Sequence, residues 1–332
     1  MPATTAGTSE YDRFGPWIDE VRTRDDVPRL FRDDPVDVAG ARLVLKVPRN
    51  IARRDATPDM DLYDHLLVLE ADALTVLSRR GGSPDTLGGY DRVRVPLGQI
   101  VAVRDVVTML DGRLTVSTPA GDLLSVRYNG SARATVARLV GELRGAAADR
   151  PASPVGAALR DATTALPAPV PPYGVGKDDL ALVSDLREVL RRHPDVTAWT
   201  LHGRTALTPT RGGALARARN ALSPATLHGA VLAGDATALE VLGRHDWVLR
   251  GRSPVHSASR TVIPWSAPEH LTVAPHPDYE RATLVRVSTG AAEVRLVVPT
   301  GSAAEQLFAG AVQRLDRPLE DQPGPGPATG TR

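Results

Sequence analysis

The sequence predicts an α+β chain, mainly antiparallel β, made of two like domains that each end in one helix. Three observations point there. Short apolar runs alternate with polar residues at period two and are broken by turn residues. Each series of runs ends in an amphipathic helix behind a serine. The same order recurs about 165 residues further along the chain.

In the first block, Leu66-Leu-Val-Leu69 and Leu74-Thr-Val-Leu77 flank a polar break and read as a hairpin. Arg92-Val-Arg-Val95 alternates as a half-buried strand should, and Ile100-Val-Ala-Val103 follows it. Leu114-Thr-Val116 and Leu123-Leu-Ser-Val-Arg127 form a second hairpin around Pro119-Ala-Gly121. Ser131 is placed to cap a helix that runs to Leu143, with Val136, Leu139, Val140 and Leu143 on one face.

The second block repeats this order. Leu239-Glu-Val-Leu-Gly-Arg244 echoes Leu74-Thr-Val-Leu-Ser-Arg79, and Ile263-Pro-Trp265 echoes Val95-Pro-Leu97. Leu284-Val-Arg-Val287 and Val294-Arg-Leu-Val-Val298 stand for the second hairpin. Gly301-Ser-Ala303 matches Gly130-Ser-Ala132 and opens a helix to Leu315, with Leu307, Phe308 and Val312 as its apolar positions. The offset grows from 165 to 171 residues, as loop insertions would cause.

Several antiparallel strands followed by one C-terminal helix resemble the order of bacterial pleckstrin-homology-like (PH-like) domains. The segment Tyr11-Asp-Arg-Phe-Gly-Pro-Trp17, with the two blocks behind it, resembles a prokaryotic family with tandem PH-like domains. The resemblance implies two PH-like barrels, each closed by a C-terminal helix. It transfers no catalytic residue and no phosphoinositide motif, because such barrels host unrelated roles.

The expected division is an N-terminal packing segment (1–41), a first PH-like domain (42–144), an Ala/Pro-rich linker (145–177), a helix plus second PH-like domain (178–315), and a disordered tail (316–332). Phe14, Trp17, Ile18, Val21, Leu30 and Phe31 are expected to pack across the first domain, the alternative being an exposed aromatic docking segment. Residues 178–192 read as an amphipathic helix with Leu180, Val183, Leu186, Val189 and Leu190 on one face. Its expected role is to cover the second barrel; a dimer contact is the alternative.

Composition narrows the function. The chain has 332 residues, 42% of them apolar and 24% charged, which suits two globular domains. With no cysteine there is no disulfide, thiolate metal site or cysteine nucleophile. No stretch is apolar enough to span a bilayer and the N-terminus lacks an export signal, so the expected location is cytoplasmic. A net charge of +1 disfavours sequence-specific nucleic-acid binding. Lys46 and Lys177 are the only lysines among 40 basic residues. With abundant Ala, Gly and Pro, this fits a high-GC bacterial coding sequence, in which arginine runs carry less weight.

Two arginine-bearing stretches are the candidate ligand-binding segments. One contains Arg42, Lys46, Arg49, Arg53 and Arg54 without an acid; the other, residues 196–234, contains Arg204, Arg211, Arg217 and Arg219, again without an acid. Guanidinium forks suit phosphate and carboxylate. The competing reading is a solvated face. Asp59, Asp61 and Asp64 alternate but lack the rest of a calcium loop. The eight histidines (His65, His193, His202, His228, His245, His256, His270 and His276) show no metal spacing. Gly174-Val-Gly-Lys177 lacks the full phosphate-loop pattern, and no Gly-x-Ser-x-Gly elbow occurs.

No metal and no cofactor is therefore expected. The leading expectation is a non-enzymatic adaptor that engages a protein or an anionic partner. The alternatives are an enzyme of unrecognised type with a His/Asp site between the domains, and a self-assembling structural unit.

Overall fold

The computed structural model describes residues 9–81, 89–146, 150–167, 179–210, 220, 222–251 and 256–316. Antiparallel sheets dominate it.

The first half begins with a helical turn, α1 (Glu10–Arg13), and a short strand, β1 (Asp19–Glu20). Next come β2 (Leu43–Pro48), β3 (Tyr63–Leu69), β4 (Ala73–Arg79) and β5 (Tyr90–Pro96), which with β1 form a five-stranded sheet in chain order. A three-stranded meander follows: β6 (Ala102–Thr108), β7 (Asp111–Thr118) and β8 (Gly121–Asn129). The turn between β7 and β8 uses Gly121 at φ +115°, a conformation that costs glycine little. Helix α2 (Arg133–Gly145) ends the half.

The helix start differs from expectation. Ser131 does not cap α2; the Asn129 side chain accepts the Ser131 amide and hydroxyl, and residues 130–132 form a 3₁₀ turn first. Asparagine competes well for that role because its carbonyl reaches a backbone amide two residues on.

Helix α3 (Pro154–Thr163) lies within the stretch read as an extended linker. The Ser153 side chain accepts the Gly156 amide and Pro154 stands in the first turn, a regular helix start. Val155, Ala158, Leu159 and Ala162 bury one face against Trp265, Leu307 and Phe308. An alanine-rich segment becomes a helix here because it has an apolar surface to cover. The rest of the Pro-rich stretch (168–178) and the tail from 317 lie outside the described residues.

The second half follows the same plan with insertions. After α4 (Leu180–Arg192) come β9 (Thr197–His202), β10 (Thr205–Pro209), β11 (Ala225–Leu227), β12 (Ala230–Gly234), β13 (Ala238–Gly243), β14 (Val248–Arg250) and β15 (Ser257–Pro264). Then come β16 (His270–Pro275), β17 (Tyr279–Glu280), β18 (Ala282–Thr289), β19 (Ala292–Pro299) and α5 (Ala303–Leu315). Strands β9, β12, β13 and β15 form a four-stranded meander and β16, β18 and β19 a three-stranded one, while β14, β11, β10 and β17 make a small added sheet. Ser302 caps α5 by accepting the Glu305 amide. In α4 the buried positions are Leu182, Val183, Leu186 and Val189, whereas Leu180, expected on the apolar face, is 58% exposed at the first turn.

None of the four sheets closes on itself. Instead β6 of the first half pairs antiparallel with β15 of the second, and one seven-stranded sheet runs β8-β7-β6-β15-β13-β12-β9. Because side chains alternate across a strand, this sheet serves two cores on opposite faces. Val103, Leu114, Val116, Val126 and Val262 join the first core with α2. Leu239, Val241 and Ile263 join the second with α3 and α5. The N-terminal segment completes a third cluster through Phe14, Val21 and Phe31, but Trp17 stays 49% exposed.

A buried ion network crosses the seam. Arg144, in the last turn of α2, donates from Nε to Glu240 at 2.7 Å and from Nη2 to Asp235. Arg260 of β15 grips the same Glu240 with two bonds, at 2.8 and 3.0 Å. Glu240 is fully buried, so its charge needs both guanidiniums. Replacing Glu240 with Ala leaves Arg260 without its carboxylate and Arg144 with Asp235 alone, and is expected to cost about 3 kcal/mol in urea unfolding. Replacing Arg144, Glu240 and Arg260 together by Met or Leu should recover most of that loss. A single Glu240→Ala variant as stable as the parent contradicts this account.

Candidate functional site

An open, arginine-rich surface lies on the outer face of the first half's three-stranded meander. Residues 104, 106, 113, 115, 125 and 127 alternate outward, because their neighbours Val103, Leu114, Val116 and Val126 fill the core behind. In the β7–β8 register Arg113 stands directly opposite Arg127. Two like charges in that position repel. Arg113 donates to Ser125 Oγ at 3.3 Å, and Arg104 donates to the His245 carbonyl of the second half at 2.8 Å.

These three arginines, with Arg49 at the end of β2, line one cleft of about 450 Å³. Its apolar rim is Pro16, Pro48, Ile51 and Leu110, and Asp111 is its one carboxylate. None of the four arginines forms a salt bridge among the described residues; Arg49 instead donates to the Asp61 carbonyl at 3.2 Å. A second cleft, of about 620 Å³, shares Arg104 and His245 with the first and continues over β15 and β13 toward β19. Its walls offer hydroxyls from Thr115, Ser117, Ser259 and Thr261, together with Trp247 and the acids Asp122, Asp246 and Glu293.

The arginine stretches singled out from sequence mostly serve the fold. Lys46 is buried under the Tyr63 ring, 5.3 Å from its centroid, opposite Asp19, and burial lowers its pKa. Arg53 donates to the carbonyls of Tyr11 and Phe14 and stacks 4.2 Å from the Tyr11 centroid, so it holds the N-terminal segment down. Arg54 is exposed and lies 3.8 Å from Asp55. Arg42 borders a separate hollow beside α2 and His193. Arg204 pairs with Asp179 at 3.4 Å beneath the surface. Arg211, Arg217 and Arg219 lie outside the described residues, as does Gly174-Val-Gly-Lys177. Of the candidates among the described residues, Arg49 alone reaches the cleft, and Arg104, Arg113 and Arg127 join it from the outward-facing positions of β6, β7 and β8, where strand alternation is the one signal that could have found them.

The carboxylates of the 59–64 stretch diverge. Asp61 pairs with Arg29 at 3.2 Å and Asp64 with Arg79 at 2.7 Å. Among the described residues no group of three His, Asp or Glu side chains is placed to hold a metal ion. No helix among them is long and apolar enough to cross a membrane. A cavity of about 40 Å³ between α2 and α4, closed by an Arg133–Asp185 bridge at 2.9 Å, has room for little more than a water or two.

Beneath β12 lies a polar cluster of another kind. His228 is 2% exposed, and no described residue hydrogen-bonds to either ring nitrogen. Burial, with Arg204 and Arg244 nearby, pushes its pKa down to about 4, against a weaker opposing pull from Asp179. Burial likewise lowers the pKa of His202 and His65.

No family model, curated protein or solved structure matches the chain.

The His228 site carries a pH signature. The unfolded ring takes its proton near 6.5, the folded one only near 4. Between those values the unfolded state binds more protons, so stability falls as pH drops from 6.5 to 4 and His228 adds nothing further below. The loss amounts to at most about 3 kcal/mol. Denaturant unfolding at pH 7 and pH 4 should show a smaller acid loss for His228→Leu than for the parent; equal losses remove His228 from the acid response.

Proposed function

We propose that the protein is a non-catalytic binding module that takes an anionic partner in the cleft lined by Arg49, Arg104, Arg113 and Arg127. The observation that carries this reading is the pair Arg113 and Arg127, held face to face across β7 and β8 with no salt bridge to either among the described residues. Such a pair costs stability in the free protein. An anion placed between the two forks gains from both, and several guanidiniums in one concavity favour phosphate or carboxylate groups.

The strand order supports a PH-like ancestry for both halves. Each has a larger meander, of five strands in the first half (β1 being two residues long) and four in the second, then a three-stranded meander and a closing helix. On this reading two PH-like units exchanged barrel closure for a shared sheet. The first half lines most of the arginine cleft and the second adds His245 at its edge, while the shared sheet carries the adjoining cleft on across β15 and β13. The role is an adaptor's: recognition without turnover.

Calorimetric titration with inorganic pyrophosphate at low salt tests the proposal. The parent should bind, and Arg113→Ala/Arg127→Ala should bind at least about tenfold more weakly, the equivalent of 1.4 kcal/mol. The same double variant should unfold at an equal or higher denaturant concentration, because the repulsion is gone. A parent that ignores pyrophosphate, or a double variant that binds it unchanged, overturns the reading.

A further inference from the structure

The tip between β6 and β7 breaks a rule. Met109 and Leu110 are 74% and 68% exposed, and Met109 sits at φ +54°, a region that side chains other than glycine enter at a cost. The tip is nonetheless pinned from both sides. The Met109 amide donates to the His256 carbonyl at 3.0 Å, in the second half, and Gly130 donates to the Leu110 carbonyl at 2.6 Å. Two large apolar side chains are thus held in solvent by a backbone tied to both halves, and Leu110 forms part of the arginine cleft's rim.

The geometry points to an extended acidic peptide segment bearing an aliphatic side chain as the occupant of this cleft, with carboxylates on Arg113, Arg127 and Arg104 and the aliphatic group between Leu110 and Ile51. This rests on the anion-binding reading above and narrows it to one partner class. Charge complementarity selects the acidic character at the first cleft, where four arginines stand against Asp111 alone, and the acids Asp122, Asp246 and Glu293 of the second cleft confine the peptide's carboxylates to the arginine end. The apolar rim selects an aliphatic neighbour, because burying Leu110 and Ile51 needs a matching surface.

Shape selects a peptide over a bilayer. The arginines lie within a concavity and cannot all meet a flat surface, Asp111 stands exposed beside the tip, and the net charge is only +1. The length follows from the floor. Both clefts together cross strands β8, β7, β6, β15 and β13. At about 4.8 Å between strands and 3.3 Å per extended residue, that distance holds roughly six residues. Hydroxyls of Thr115, Ser259 and Thr261 on the second cleft's floor can meet the peptide main chain.

Fluorescence anisotropy on the full chain, with labelled six-residue peptides, tests the inference. A peptide mixing glutamate and leucine should bind, and its lysine/leucine counterpart should not. Arg113→Ala/Arg127→Ala should weaken binding about tenfold. Leu110→Ser should weaken the glutamate/leucine peptide several-fold and leave an all-glutamate peptide unchanged, a selectivity that loss of folding would not give. Pyrophosphate binding without glutamate/leucine peptide binding overturns the peptide inference while the anion cleft stands; loss of both removes the cleft itself. Equal binding of the lysine/leucine peptide, or a Leu110-dependent association with phosphatidylglycerol vesicles in the absence of peptide binding, also overturns it.

Discussion

The pairing of β6 with β15 is the constraint on which the rest of the molecule depends. It joins the edge of one meander to the edge of another, so neither strand exposes an unpaired row of amides and carbonyls. It also fixes which face of the shared sheet meets which core: a one-residue slip would move Val262 out of the first core and Ile263 out of the second. The Arg144–Glu240–Arg260 network sits directly behind that seam and penalises a slip a second time, since Glu240 would lose its cations. Register, core assignment and buried charge all depend on one seam.

The proposed cleft lies beside the same seam. The first half's own Pro16, Pro48, Ile51 and Leu110 rim the arginine cleft on the outer face of β6–β8. The second half's 245–247 loop and β18–β19 hairpin line the adjoining cleft that extends this face across β15. The arginines of the first cleft avoid the carboxylates that engage so many others in this chain, such as Arg29, Arg79, Arg80 and Arg94. That contrast separates the cleft from the general arginine richness better than any count of basic residues.

Local structure was legible in the sequence wherever period and turn chemistry agreed. The β3–β4 and β7–β8 hairpins, the β18–β19 hairpin and the Ser302 cap follow directly from alternation and punctuation. Helix α3 was legible too, in Ser153-Pro154 and the spacing of Val155, Ala158, Leu159 and Ala162, but the surrounding Ala/Pro composition masked that signal. What the sequence could not disclose is edge-to-edge pairing between residues some 150 apart, because local propensity carries no information about which edge meets which.

The cleft was half legible for a related reason. Arg42 to Arg54 looked like a patch because its cations are close in sequence, yet a strand and a 3₁₀ turn aim them in different directions, and Lys46 points inward. Arg113 and Arg127 are 14 residues apart, and the hairpin register brings them face to face. Hydrogen exchange tests the seam most directly. If β6 and β15 hold the two halves as one unit, the amides of residues 102–108 and 257–264 that bond across the seam should exchange only with global unfolding, matching the slowest amides of β3 and β13. Exchange there by a separate, lower-energy opening, with both halves still protected, would contradict the shared sheet.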